Sequence, residues 1–226
     1  MWRYLLDLFF PKVCPGCQEL LDVSEYVFCT SCRHEIPLTN HHLEQQNEIY
    51  KKFYGRIEIE YASAFMLFQK KGIVQQIIHQ LKYKNQQEIG TALGHWYSEI
   101  LKDYIKNQEF DCIIPVPLHP KKHNQRGYNQ VENFGKTLAH NLNISYDPTF
   151  LYRAVNTKTQ SKKNRLGRTE NIQDIFKTNL HSEYQNKHFV LVDDVITTGA
   201  TLEACAKALQ KIPGSKISII CMAIAE

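Results

Sequence analysis

Two adjacent carboxylates, Asp193 and Asp194, separate a run of apolar residues from a short loop that is rich in hydroxyl groups. The apolar run at 189–192 is typical of a buried parallel strand. Ligands of open α/β sheets bind outside the carboxyl ends of the strands, where a helix N-terminus offers N–H groups to an anion. The carboxylates would repel a phosphate, but they suit sugar hydroxyls or a hydrated Mg²⁺. The pattern therefore predicts a ribose 5-phosphate site; an acidic strand end with an ordinary helix cap is the simpler alternative.

The loop after the acid pair has a composition that can wrap a phosphate. Gly199 lets the backbone approach closely, and the hydroxyls of Thr197 and Thr198 add donors. From Thr201 onward apolar residues repeat at helical spacing. We therefore expect a helix to begin there and to direct its positive end at the loop.

Four of the seven cysteines lie within the first 32 residues and form two C-x-x-C pairs, Cys14 with Cys17 and Cys29 with Cys32. Their spacing matches tetrahedral Cys₄ zinc geometry, and four protein ligands leave no open position, so we expect a structural zinc. Disulfides would require an oxidising compartment, and an iron–sulfur cluster is the remaining alternative. The other three cysteines lie in apolar stretches and are predicted to be buried: Cys112, Cys205 and Cys221.

Positive charge is concentrated between His119 and Arg168. This segment has ten Lys or Arg and two acidic residues, hence a net charge of +8, while the whole chain carries +4. A local field of this kind predicts a polyanionic partner, with diphosphate and nucleic acid as the two candidates. Tyr128 and Tyr152 are candidates for stacking on the bases of single-stranded DNA.

The order of elements predicts an α/β fold with a small N-terminal module. We expect residues 1–40 to form the zinc-finger module, 41–60 a polar linker, and 61–226 a parallel sheet flanked by helices. Strands are predicted at 61–68, 111–118, 150–153, 189–192 and 217–224. Helices are predicted at 73–82, 87–106, 128–141 and from 201, with basic loops at 119–127 and 156–171.

Hydropathy argues against a membrane protein. The mean hydropathy is −0.40, and the chain has no run of about 18 apolar residues. The first ten residues are apolar but short, carry Asp7 and lack a small-residue cleavage site, so we expect no signal peptide. These observations predict a cytoplasmic protein without a membrane span.

Residues 189–201 resemble the PRPP-binding loop of type I phosphoribosyltransferases. The resemblance implies that Asp193 and Asp194 contact the ribose hydroxyls, directly or through Mg²⁺. It also implies that the 5′-phosphate is held by Ile196, Thr197, Thr198, Gly199, Ala200 and Thr201. The segment 115–130 corresponds to the diphosphate loop of that class, and the basic stretch around Arg165 corresponds to its mobile lid. The catalytic residues implied in these segments are Lys121, Lys122, Arg126 and Arg165.

The sequence of residues 115–130 resembles that of the ComF family of competence proteins. The resemblance extends to the two C-x-x-C pairs before this segment and to Arg153, Asn164 and Arg165 after it. That family combines an N-terminal Cys₄ zinc finger with a type I phosphoribosyltransferase-like domain. The resemblance implies a part in DNA uptake during natural transformation, with PRPP or ribose 5-phosphate and Mg²⁺ as ligands. It also implies single-stranded DNA and competence-machinery proteins, such as a DNA translocase, as partners.

Two alternatives stay open at this point. The first is a metabolic phosphoribosyltransferase that transfers the phosphoribosyl group of PRPP to a small acceptor. Purine-salvage members of the class carry an Asp in the phosphate loop that acts as the general base on the nucleobase. This chain has Thr197 at that position, so purine acceptors are disfavoured. The second is a ribose-phosphate sensor or scaffold without turnover.

Overall fold

A five-stranded parallel sheet forms the centre of the molecule. The computed structural model describes residues 11–44, 46–106, 108–154, 175–179 and 182–225. The sheet strands are β1 (Tyr61–Phe68), β2 (Cys112–Pro115), β3 (Ser145–Tyr146), β6 (His188–Ile196) and β7 (Lys216–Ala225), while β4 (Leu151–Arg153) and β5 (Phe176–Thr178) form a separate antiparallel pair. The sheet order is β1-β7-β6-β2-β3, and each pair of neighbours is parallel.

Helices cover both faces of this sheet. They are α1 (Thr30–Glu35), α2 (Glu48–Phe53), α3 (Ile73–Tyr83), α4 (Glu88–Leu101), α5 (Pro120–Arg126), α6 (Glu132–Leu142) and α7 (Ala200–Leu209). The apolar residues of α3, α4 and α6 pack on one face of the sheet, and those of α2 and α7 on the other. Because both faces are covered, the central strands are near-continuous apolar runs. Among the described helices, none has the length and apolarity needed to cross a membrane.

The chain reverses its direction of travel across the sheet between β2 and β6. From β2 it passes through α5 and α6 to β3 at one edge, whereas from β6 it passes through α7 to β7 on the other side. The helices that follow β2 and β6 therefore lie on opposite faces. A crevice opens at such a point, outside the carboxyl ends of the two strands, and ligands of α/β sheets bind in it. The acid pair and the basic segment both lie there.

The segment 41–60 is folded into the core and is not the polar linker that its composition suggested. It contains a short 3₁₀ helix, His41–Leu43, and α2. Ile49 and Phe53 are fully buried against the sheet. Asn47 caps α2 and donates from its side-chain amide to the carbonyl of Ala62 at 2.6 Å. Only one narrow face of a two-turn helix is buried, so two apolar residues four positions apart were the whole sequence signal.

Two other elements differ from the sequence-based expectation. The basic loop after β2 contains α5, because Pro120 begins the helix, the His119 ring accepts from the Lys121 amide at 3.1 Å, and Gly127 ends it with φ +78°. The predicted helix at 128–141 therefore begins later, at Glu132. The strand predicted at 150–153 forms at Leu151–Arg153, but it pairs with β5 and does not join the central sheet.

The N-terminal module shares the hydrophobic core of the sheet domain. Cys14 and Cys32 are buried in the same cluster as the apolar residues of α3 and α4. The Gln80 side chain of α3 donates to the Gln18 side chain at 3.1 Å. Leu38 forms an antiparallel bridge to Met66, so the chain leaving the module lies along the free edge of β1. The module is thus braced directly against the elements that lead to the crevice.

Candidate functional site

Asp193 and Asp194 lie in the second half of β6, which continues to Ile196, and they face opposite layers of the molecule. Asp194 is 5% exposed. Its Oδ1 accepts from Lys82 Nζ at 2.8 Å, and its Oδ2 accepts from Gln130 Nε2 at 2.6 Å. Both donors belong to the layer of α3 and α6. Asp194 is therefore held by the protein itself and has little surface for a ligand.

Asp193 is the acid that faces the loop before α7. Its carboxylate is half-buried, accepts from the Asp194 backbone N–H at 2.8 Å, and lines a small open pocket of about 50 Å³ with residues 195–202. Burial, and next the charge of Asp194, raises the pKa of Asp193 to about 7, although the charges of Lys82 and Lys122 oppose the shift. A carboxyl group with a raised pKa beside a helix N-terminus is a typical feature of a functional site.

The loop that the sequence predicts to bind phosphate, residues 196–201 and here called the phosphate loop, lies at the N-terminus of α7. Thr197, Thr198, Ala200 and Thr201 are exposed, whereas Ile196 is buried and anchors the loop. Gly199 has φ +76° and precedes the first helical residue. A Cβ on Gly199 would lie 2.8 Å and 2.9 Å from two ring carbons of Phe53. Both the backbone conformation and the packing therefore require glycine.

A brace from α2 and the turn after it holds this loop from behind. Arg56 donates from Nη1 to the carbonyls of Lys52 at 2.9 Å and Thr198 at 3.3 Å, and its guanidinium pairs with Glu203 in the first turn of α7. Lys207 pairs with the same carboxylate at 2.6 Å. Two cations thus neutralise an acid near the anion-binding end of α7. Neither Arg56 nor Phe53 was predicted, since both lie in the supposed linker.

The basic side of the crevice is built on α5, which has no buried residue. Lys121 and Lys122 are exposed, while Arg126 is half-buried. The Arg126 guanidinium lies over the Tyr83 ring, 5.1 Å from its centroid, and donates from Nη1 to Gln130 Oε1 at 2.7 Å. Because Gln130 also donates to Asp194, a continuous chain of hydrogen bonds joins Arg126, one of the predicted diphosphate residues, to the acid pair.

The structure does not bring every predicted residue to the site. Tyr128 is 8% exposed and its hydroxyl donates to the Leu81 carbonyl, so it is not available to stack on a base. Tyr152 is 40% exposed. Arg165, together with the lysines of the predicted lid, lies outside the described residues. Conversely, two residues at the site, Lys82 and Gln130, were not predicted from the sequence, because a single Lys or Gln belongs to no recognisable motif.

The four N-terminal cysteines converge on one point. Their Sγ atoms all lie within 4.8 Å of one another, and those of Cys17 and Cys29 are 3.7 Å apart. Tetrahedral zinc with Zn–S bonds of about 2.3 Å gives S–S distances of roughly 3.8 Å. The donor set and its spacing therefore fit a four-coordinate metal ion with no open position. The remaining cysteines, Cys112, Cys205 and Cys221, are buried as predicted.

Backbone N–H groups point at the cysteine sulfurs. The Cys29 amide lies 3.4 Å from Cys14 Sγ, and the Cys32 amide lies 3.4 Å from Cys29 Sγ. Burial opposes the change, but bonds from the amides of Cys29, Cys17 and Gly16 lower the pKa of the Cys14 thiol to about 7. Burial, followed by the neighbouring sulfurs, raises the pKa of Cys32 well above its usual value. A bound cation would stabilise all four of these sulfurs as thiolates.

Comparison with known proteins agrees with this architecture. A family model described as "Phosphoribosyl transferase domain" matches residues 134–225, which include the acid pair and the phosphate loop. DNA utilization protein YhgH of Salmonella typhimurium is 32% identical over 149 residues, which span 65% of each chain. Competence protein F of Haemophilus influenzae is 27% identical over 215 residues, 92% of this chain and 88% of the relative. Competence protein ComFC of Bacillus subtilis is 26% identical over 216 residues, 92% and 82% of the two chains.

Among solved structures, an adenine phosphoribosyltransferase aligns with 63% of this chain and 73% of its own, at 15% identity and a TM-score of 0.42. The parallel sheet flanked by helices and the matched domain confirm the predicted fold class, a type I phosphoribosyltransferase-like domain. The cysteine cluster precedes that domain, as the resemblance implied. These relatives and the domain match together confirm the predicted resemblance to the ComF family and its phosphoribosyltransferase-like domain.

Proposed function

We propose that the chain binds the ribose 5-phosphate part of PRPP, or ribose 5-phosphate itself, in the crevice between β2 and β6, and that it acts in DNA uptake. The observation that carries the proposal is the arrangement around Asp193: a half-buried carboxylate beside a glycine-containing loop at the N-terminus of α7. A phosphate on the loop would leave the ribose hydroxyls within reach of that carboxylate.

Each side of the crevice has a role in this proposal. The loop from Ile196 to Thr201 binds the 5′-phosphate through backbone N–H groups and hydroxyls. Asp193 accepts hydrogen bonds from the ribose hydroxyls, while Asp194 lies on the opposite face of β6 and influences Asp193 through its charge. Lys121, Lys122 and Arg126 bind the diphosphate of PRPP. Mg²⁺ fits this site because it is commonly bound by one or two carboxylates together with substrate phosphates, and it would neutralise the diphosphate.

The role in DNA uptake is supported by the names of the relatives. Two of them are competence proteins and another is a DNA utilization protein. The exposed face of α5, with Lys121 and Lys122, adds a surface on which the phosphates of single-stranded DNA can bind next to the crevice. On this hypothesis the sugar-phosphate site and the strand share one basic edge, where other proteins of the competence machinery, such as a DNA translocase, deliver the strand.

The cysteine cluster is proposed to hold a structural zinc ion. Metal analysis of the purified protein should give one zinc per chain, lost in Cys17→Ser. An iron–sulfur cluster would instead give iron and visible absorption.

Isothermal titration calorimetry tests the ligand. We expect ribose 5-phosphate and PRPP with Mg²⁺ to bind the wild-type protein and Asp103→Asn, whose exposed carboxylate pairs with Lys106 far from the crevice. Asp193→Asn should weaken both ligands at least tenfold, since a good hydrogen bond to a charged group contributes about 1.5–3 kcal/mol. Absence of heat from either ligand with zinc-loaded wild-type protein would reject the proposal.

Fluorescence anisotropy with a labelled single-stranded oligonucleotide tests the partner. Binding should weaken steeply with salt, because phosphate contacts release counterions. Saturating PRPP should reduce DNA affinity if the two share the basic edge. An affinity that does not change with salt, or no binding at low salt, contradicts the DNA part of the proposal.

Phosphoribosyl transfer to a small acceptor is a second candidate, favoured by the domain match over residues 134–225. It predicts acceptor-dependent release of diphosphate from PRPP that Asp193→Asn abolishes. Binding of PRPP without such release across a panel of amines and orotate-like bases would favour the sensor or DNA-handling role.

A further inference from the structure

We propose that Lys82 and Gln130 are positioning residues of the ribose-phosphate site: Lys82 supplies the acid pair with a built-in positive charge, and Gln130 connects that pair to Arg126. The inference rests on the proposed function and deepens it. It assigns roles to two residues that touch neither the phosphate loop nor its pocket. It also predicts which ligand of the site requires a divalent cation.

Lys82 reaches the acid pair from the last turn of α3. Its ammonium lies 2.8 Å from Asp194 Oδ1, and the side chains are 21% and 7% exposed. A carboxylate this deeply buried is costly to keep charged without a partner, and removing one member of such a pair leaves the other uncompensated. The position of Lys82 near a helix C-terminus also favours its charge. Lys82 thus occupies, on the back of β6, the electrostatic position that a bound cation would otherwise fill.

Gln130 is the link between the two sides of the crevice. It is 7% exposed and lies just before α6. Its amide oxygen accepts from Arg126 at 2.7 Å, while its amide nitrogen donates to Asp194 at 2.6 Å. Arginine can only donate and an ionised carboxylate can only accept, so the bridging side chain must do both. An amide satisfies this requirement, whereas Glu at this position would repel Asp194.

The network fixes the guanidinium of Arg126 before any ligand arrives. Nη1 is held by Gln130 at 2.7 Å, Nη2 lies 3.5 Å from the Tyr83 hydroxyl, and the guanidinium lies over the Tyr83 ring. The remaining N–H groups of the fork are left for phosphate oxygens. A displacement of Asp194 is transmitted to Arg126 through a single side chain. The acid pair and the basic side are therefore one preorganised unit.

Two consequences separate the ligands. Ribose 5-phosphate has no diphosphate, and the acid pair already has its cation, so it should bind equally well with Mg²⁺ and with EDTA. PRPP carries a diphosphate beside Arg126, so its binding should depend on Mg²⁺ and on Gln130.

Calorimetry with ribose 5-phosphate, in EDTA and in Mg²⁺, tests the role of Lys82. Wild type and Lys102→Met, an exposed residue of the turn after α4, should bind alike in both conditions. Lys82→Met should bind about tenfold more weakly in EDTA and recover in part with Mg²⁺. Lys82→Arg, which restores the charge, should stay within about threefold of wild type. A loss of packing alone would be rescued neither by Mg²⁺ nor by arginine.

Titration of PRPP and ribose 5-phosphate into Gln130→Glu and Gln130→Met tests the link without removing the ion pair. Both variants should lose more affinity for PRPP than for ribose 5-phosphate, by about fivefold in the ratio. Gln76→Glu, on the exposed side of α3, is the matched control.

The outcomes distinguish failure of the proposed function from failure of the roles assigned to Lys82 and Gln130. If wild type binds neither ligand, the proposed function fails and this inference fails with it. If wild type binds and Lys82→Met matches it in EDTA, the role of Lys82 is wrong while the site stands. Equal losses of both ligands in the Gln130 variants would overturn the link to Arg126.

Discussion

The two sides of the crevice are built in opposite ways. The phosphate loop after β6 is fixed from behind by Phe53 and Arg56, and its glycine has no room for a side chain. The basic helix after β2, in contrast, has no buried residue and ends at Gly127, around which there is open space. The phosphate side is packed against the core, whereas the basic side is exposed to solvent. The comparison indicates that packing fixes the whole phosphate side, whereas on α5 the described contacts fix Arg126 and leave Lys121 and Lys122 exposed.

This difference fits the two tasks proposed for the site. A sugar phosphate is small and rigid, so its site gains affinity when donors are fixed before binding. A DNA strand is long and variable, and exposed lysines can follow its phosphates without a fixed geometry. The substitutions predicted below each alter one of the two sides.

The largest effect is expected from a pair of matched glycine substitutions. Gly199 and Gly127 have φ +76° and +78°, so alanine is strained at both. At 199 the new Cβ also collides with Phe53, whereas at 127 nothing lies within 4 Å. Gly199→Ala should cost about 3 kcal/mol of stability and abolish ribose 5-phosphate binding, while Gly127→Ala should cost about 1 kcal/mol and leave binding intact. Urea denaturation and calorimetry measure both. Similar losses in the two variants would contradict the comparison.

Arg56→Met should have the next largest effect. The substitution removes the bond to the Thr198 carbonyl and leaves Glu203 with Lys207 as its partner beside the phosphate loop. Ribose 5-phosphate should bind several-fold more weakly, because an acid near the anion site is less well neutralised. The ion pair is partly exposed, so the stability loss should stay below about 1 kcal/mol. A variant that binds the ligand normally would show that the brace is not required.

The sequence was sufficient where a structural feature has a local pattern. The apolar runs of β1, β6 and β7, the paired cysteines and the Asp193–Thr201 stretch each have a short, specific signature. Sequence-based prediction failed for residues whose role depends on contacts with distant parts of the chain. Phe53 lies 146 positions before Gly199, and Lys82 lies 112 positions before Asp194, yet each pair is in contact. Such contacts are determined by the order of the strands, which no local pattern specifies.

The acid pair shows the same limit on a smaller scale. Adjacent residues of a strand point to opposite faces, so Asp193 and Asp194 could not share one environment. The sequence-based prediction gave both residues the same role, contact with the ribose hydroxyls. Only the elements on either face, α7 with its loop and α3 with Gln130, place one carboxylate in a buried ion pair and the other in the small pocket beside the phosphate loop.

The pH dependence of binding sharpens this division. Burial, with the charge of Asp194 next, raises the pKa of Asp193 from 3.8 to about 7. A carboxyl group whose pKa is raised in the folded state stabilises the fold at pH values below its unfolded-state pKa. This stabilisation is lost as the pH rises through the folded-state pKa, here between about pH 4 and pH 7. Ribose hydroxyls need the ionised form as acceptor, so affinity should rise between pH 6 and pH 8.

Calorimetry on wild type and Asp193→Asn at both pH values measures this effect. The phosphate of the ligand also titrates near pH 6, and the variant retains that contribution. Asp194, Lys82 and Lys122 are the charged groups that act on Asp193 and remain in the variant. The difference between the two proteins should therefore isolate Asp193, and an identical pH dependence would remove the carboxylate from ligand binding.

The smallest effects are expected on the exposed side. Lys121→Ala and Lys122→Ala should each weaken binding of single-stranded DNA by a few-fold and reduce the dependence of log affinity on log salt by about 0.7–1. Neither should alter stability, since α5 buries no residue. Ribose 5-phosphate, which lacks the diphosphate, should bind both variants as it binds wild type. Anisotropy across a salt series measures the DNA effect, with Lys136→Ala as an exposed lysine on α6 for control. A salt dependence that falls equally in all three variants would mean that the strand follows the net charge of the surface and has no defined path along α5.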